Sequence, residues 1–201
     1  MAPSTPLRYP SGYFQRHDRP SLSIAAGVIL TEAILISITV WLFLQQVMAQ
    51  VNVSPAERAS VNHAISGGII GVFIGIFFGW LLFAAIFHVF VWFASGDRGF
   101  GTTLAVVGEA DLVSIVLFPI AAAGLFMMVS EIPSNPAAAA EFLEQTGPYT
   151  SPLSLLASFV GFIWKAAVQG IGLAEAHGIS VSKMLTLALV LGVLGFFSNL
   201  V

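Results

Sequence analysis

Five ionisable or amide side chains in this chain fall within or against long apolar runs, and their chemistry matters most. Glu32 and Lys165 each interrupt a stretch of aliphatic and aromatic residues. Gln169 follows Lys165 by one helical turn and shares its face, as does Gly161. A charge inside a bilayer costs about 2.5–3.5 kcal/mol, so each needs a partner. Counted from the same end of the bundle, Glu32 lies ~16 Å deep and Lys165 ~12 Å deep. Matching depth predicts a buried Glu32–Lys165 ion pair, with Gln169 beside it. The other two, His88 and Glu109, belong to a polar group at the boundary of the apolar runs. Asp111, Glu175 and His177 complete that group.

Carboxylates and imidazoles together can bind a metal or relay protons. The spacing here argues against both. Glu109 and Asp111 diverge by about 200° on a helix. No HExxH or other paired-ligand spacing occurs. The expectation is therefore charges solvated at a headgroup boundary, and His88 in an aromatic belt with Trp80, Phe90 and Trp92. Nucleophilic chemistry has even less support. There is no Gly-x-Ser-x-Gly elbow, and the glycines of Gly99–Thr103 are not followed by a phosphate-loop lysine. No catalytic residue, metal site or cofactor is expected, and no enzyme.

These groups must be positioned by membrane helices. Of 201 residues, 57% are hydrophobic and 8% charged, against about 25% charged in a soluble domain. Such a chain cannot cover a water-facing surface. The fold class expected is an all-α, polytopic membrane bundle. With no cysteine, disulfides, thiolate metal sites and lipidated cysteines are excluded. A net charge of −3 without a basic run excludes nucleic acid as a partner. Scarce lysine and acidic loops suggest a prokaryotic source.

Residues 1–20, with four prolines and three arginines, read as a disordered cytoplasmic tail. Residues 21–201 form the transmembrane domain. Five spans are expected, at about 21–47, 64–93, 110–129, 152–173 and 181–200. The first is too long for a signal-peptide core. Ser54 can cap a turn at Pro55, and Asn135-Pro136 starts a short surface helix. Thr103–Asp111 is expected to lie in the interface, and the third span to bend at Pro119. Loop cations orient the whole. With the N-terminus inside, Arg8, Arg16, Arg19, Arg98 and Lys183 are cytoplasmic and only Arg58 lies outside, which puts the C-terminus outside.

Gly67, Gly71, Gly75 and Gly79 recur every fourth residue in the second span. On a helix they line one face and leave a groove that a second helix can enter. The expectation is a packing seam with another helix of the same chain, and the alternative is a homo-oligomer seam.

Two stretches carry a family resemblance. One is Phe87-His88-Val89, then Gly96-Asp97-Arg98-Gly99-Phe100-Gly101-Thr102-Thr103-Leu104 and a helix containing Pro119. The other is Trp164, then Gly170-Ile171-Gly172-Leu173-Ala174-Glu175-Ala176-His177-Gly178-Ile179-Ser180 and a terminal apolar helix. Together they resemble the Yip1-domain family, especially its bacterial and archaeal members, over about residues 20–200. The resemblance implies about five spans, a cytosolic N-terminus and an outward C-terminus in the cell membrane. Eukaryotic members act in vesicle trafficking and bind Rab-type GTPases; nothing in this sequence shows such a partner. The function expected is a membrane-organising or trafficking-type scaffold or adaptor. Its partners would be membrane lipids and unidentified membrane or cytosolic proteins. The alternative is a small transporter or ion-conducting bundle that uses Glu32 and Lys165.

Overall fold

The computed structural model describes residues 5–16, 20–94, 99–145 and 152–198. Within them the chain is all-α. The elements are α1 (Pro10–Arg16), α2 (Leu22–Gln50), α3 (Pro55–Phe93), α4 (Phe100–Ala110), α5 (Leu112–Val129), α6 (Pro136–Gln145), α7 (Pro152–His177) and α8 (Val181–Ser198). Among the described residues four helical segments are long and apolar enough to cross a membrane: α2, α3, the α4–α5 pair and α7. The last helix is apolar but shorter.

The helix starts follow local chemistry. Ser21 caps α2 through its hydroxyl, which accepts from the Ile24 N–H at 3.4 Å. Ser54 and Glu57 form a reciprocal capping box with Pro55 in the first turn. This cap opens α3 itself, so the helix begins well before the apolar run does. At 39 residues α3 spans ~58 Å, about twice a hydrocarbon core, and its polar first turns project beyond it. Asn135 caps α6 by accepting from the N–H groups of Ala137 and Ala138. Gly178, at φ +67, makes the left-handed turn between α7 and α8 that other residues rarely adopt.

At the centre is α4, not α3. Every residue from Thr103 to Ala110 is buried, and α4 packs against α2, α3 and α7. The segment expected at the membrane interface is thus enclosed by other helices. Its small side chains let three neighbours approach. The helical path breaks at Asp111, which ends α4 and starts α5. Pro119 lies inside α5, which runs on through it. At the far end of the bundle, Phe43, Val47, Val129, Ile132 and Ala139 form a second core that seats α6.

The glycine stripe does not form the expected seam. A Cβ added at Gly67, Gly71, Gly75 or Gly79 would meet no atom within 4 Å, and α3 buries only Ile65, Ala84, Phe87 and Val91. The close helix approaches lie elsewhere. At Gly170 an added Cβ would stand 2.6 Å from the Leu185 backbone, so α7 and α8 touch main chain to main chain there.

The N-terminal segment is also unlike the expected disordered tail over its described residues. Tyr13 and Phe14 of α1 are buried in the main core, with their rings edge to face at 5.0 Å. Phe14 lies on α7 over Gly172, where an added Cβ would come within 2.6 Å of the ring. A short helix with one aromatic pair can dock where glycine leaves room for it.

Candidate functional site

Two polar groups stand out, one at the α1 end of the bundle and one at membrane depth. The first is built around α4. The Thr103 hydroxyl oxygen lies 3.0 Å from His88 Nδ1 and 3.0 Å from His177 Nε2, so one hydroxyl ties α3, α4 and α7 together. The two imidazole rings are 6.4 Å apart, and Phe100 packs its ring against His88 edge to face. Six residues along α4, Glu109 accepts from the Ser21 N–H at 2.9 Å and from the Tyr13 hydroxyl. Burial, with the Glu109 charge and hydrogen bond adding to it, pushes the Tyr13 phenol well above its ordinary value.

Two more bonds hold the N-terminal segment to α7. The Ser11 hydroxyl donates to Glu175 Oε1 at 2.7 Å, and the Trp164 indole donates to the Leu7 carbonyl at 2.9 Å. Residues 7–14 are therefore fastened by named polar contacts as well as by Phe14. The expectation of boundary charges solvated among headgroups fails for Glu109 and His177. They are 1% and 4% exposed, because partners distant in sequence satisfy them. Trp92 and Phe90 are exposed, and Trp80 is turned inward, its indole donating to the Leu104 carbonyl.

The second group lies deeper. Lys165 pairs with Asp111, not primarily with Glu32. The break between α4 and α5 turns Asp111 inward, toward α7, and leaves it buried. Glu32 stands close by and accepts from the Ser114 hydroxyl. Both carboxylates thus neighbour one ammonium. Gln169 is buried on the same face of α7.

This group forms the floor of a half-open cleft of about 350 Å³, with α3 and α8 as facing walls. Trp80, Phe83 and Phe87 line one wall and Leu191 and Phe196 the other. A second cavity of about 410 Å³ shares Glu32, Lys165, Ser158 and Phe162 and extends past Thr39 and Ser154. Among the described residues no group of three or more His, Asp or Glu side chains could hold a metal ion. The boundary residues are held by Thr103, Ser21, Tyr13, Ser11 and Lys165.

Residues 5–201 match the Yip1 domain. The chain belongs to the Yip1-domain family. As a Yip1-domain protein it is an integral, multi-pass membrane protein. The family consists generally of non-enzymatic trafficking proteins. No curated protein and no solved structure is significantly matched.

The sequence reading of this Yip1-domain protein missed Thr103, Tyr13, Ser21 and Ser11 as members of the polar network. Hydroxyls are common in loops and helix ends, and no spacing marks one that bridges distant helices. One usable signal was the Tyr13-Phe14 pair, which is costly to leave in water.

Proposed function

We propose that this Yip1-domain protein is a non-enzymatic scaffold or adaptor, embedded in a prokaryotic plasma membrane, whose partner-facing end is the one carrying α1. The docked N-terminal segment carries this reading. Its polar and aromatic contacts, from Leu7–Trp164 to Tyr13–Glu109, go into holding α1, α4 and the end of α7 as one rigid layer. Beside that layer Trp92 and Phe93 are 70% and 73% exposed, at the boundary where proteins and headgroups meet. A catalytic end would keep reactive groups open to a substrate, whereas these histidines and carboxylates are spent on internal bonds.

The partner contact can be mapped by photo-crosslinking in native membranes. A photoreactive residue at Gln15 or Ser180, both exposed near α1, should capture discrete protein partners. The same residue at exposed Glu144, in α6 at the far end, should capture none. Lipid adducts alone from all three positions would refute the scaffold reading.

The same proposal sets the topology, with the α1 end cytoplasmic and α6 outside. It rests on the loop cations, of which only Arg58 falls on the outer side. The chain has no cysteine, so single cysteines report cleanly. Ser180→Cys should be shielded from an impermeant thiol reagent in intact cells, and Glu144→Cys should label. Labelling of both from one side would overturn the orientation.

A further inference from the structure

We propose that the cleft between α3 and α8 binds a lipophilic ammonium compound, an apolar body bearing one positive nitrogen and no anionic group. This site is separate from the scaffold surface and does not depend on it.

Size and lining are the first observation. A volume of about 350 Å³ falls within the range of small-molecule sites, and its walls are apolar with few convergent polar groups. Charge is the second. The ionisable groups lining the cleft are Glu32, Asp111 and Lys165, two carboxylates against one ammonium. Asp111 holds Lys165 in a salt bridge, and Glu32 is a second carboxylate beside that one ammonium. Glu32 borders both cavities, so a ligand entering either one reaches it. A bound cation would give Glu32 an ionic partner of its own at a depth where an ionised side chain needs one.

Aromatic geometry is the third observation. Trp80, Phe83, Phe87 and Phe162 line the cleft together with Glu32. Aromatic faces attract cations through the ring quadrupole, and aromatic cages are a common receptor for quaternary ammonium groups. Trp80 is fixed for this role, because its indole N–H donates to the Leu104 carbonyl at 2.9 Å. On the α3 wall Gly79 presents no side chain, and nothing lies within 4 Å of the Cβ it lacks. The wall is low there, and a long apolar tail can leave the cleft toward lipid. A phosphate-bearing headgroup suits the floor poorly. Its negative group would face Glu32 and Asp111, while Lys165 is already paired.

The test uses the full chain in phosphatidylcholine nanodiscs, with radiolabelled decyltrimethylammonium as probe and empty nanodiscs as background. Saturable binding is expected, displaced by unlabelled decylamine and not by decyl sulfate. Glu32→Gln should weaken it at least about tenfold by removing the counter-charge. Gly79→Leu, which fills the cleft without touching a charge, should weaken it comparably and keeps the test decisive if Glu32→Gln fails to fold. No saturable binding would overturn the proposal, as would equal displacement by decyl sulfate or unchanged affinity in the folded variants. Binding in phosphatidylglycerol nanodiscs that vanishes in phosphatidylcholine would also overturn it, by assigning the signal to attraction of the cation to an anionic bilayer.

Discussion

Lys165→Leu should collapse the bundle's stability, and Asp111→Leu in the same chain should restore most of it. Lys165 is the cation for a buried carboxylate, Asp111, with Glu32 nearby. Removing one partner of a fully buried pair typically costs about 3–5 kcal/mol, because the other is left as an uncompensated charge, and the lower end applies here because the Lys165 side chain is 34% exposed. Replacing both partners by apolar residues of similar volume is often neutral. The pairing is specific, so the companion change must be the right one. Glu32→Leu combined with Lys165→Leu should recover much less, since Asp111 remains stranded. Thermal midpoints of the single and double variants in detergent decide between them. Equal rescue by either carboxylate change would mean that the charge is shared and that no direct pair exists.

The second large effect is expected at Gly170. A leucine there would drive its Cβ into the Leu185 main chain, which stands 2.6 Å from the position it would occupy. Backbone cannot move aside as a flexible side chain can, so α7 and α8 must separate. Overpacking costs about 1–3 kcal/mol where the surroundings yield, and more where they do not. Gly75→Leu is the matched control. With no atom within 4 Å of its Cβ, it should leave the midpoint of the monomer unchanged. A midpoint lowered equally by both would place a packed helix against α3 after all. A change of oligomeric state in Gly75→Leu alone, read on a sizing column, would assign the stripe to a seam between copies.

The contrast between these glycines shows what was legible in the sequence. Periodicity reports which residues share a face, because it follows from helix geometry. It does not report what covers that face. The stripe from Gly67 to Gly79 was therefore visible and its packing was not, while Gly170 and Gly172 sit in no comparable pattern and do the packing. The all-α class and the apolar segments followed from composition, and Ser54-Pro55 marked a helix start by local chemistry. Loss of detail began wherever a polar group was satisfied by a distant one. Glu109 and Asp111 looked like boundary charges because their own helix supplies no partner. Ser21, Tyr13 and Lys165 supply them across the bundle. Depth alone matched Lys165 to Glu32, and the break at Asp111 moved the closer carboxylate into reach. The prolines and arginines of the N-terminal segment masked Tyr13 and Phe14, and Phe14 sits where Gly172 leaves space on α7.

The scaffold reading stands on the docked N-terminal segment, and one measurement addresses that segment directly. In this cysteine-free chain, Ser11→Cys and Glu175→Cys place thiols on the two residues whose native side chains meet at 2.7 Å. Mild oxidation in native membranes should join them rapidly into an intramolecular disulfide, seen as a mobility shift reversed by reductant. Ser11→Cys paired with Glu144→Cys, at the opposite end, should stay reduced under the same conditions. Failure of the first pair to crosslink, or crosslinking of both pairs at similar rates, would contradict a docked α1 and remove the rigid layer on which the proposed function rests.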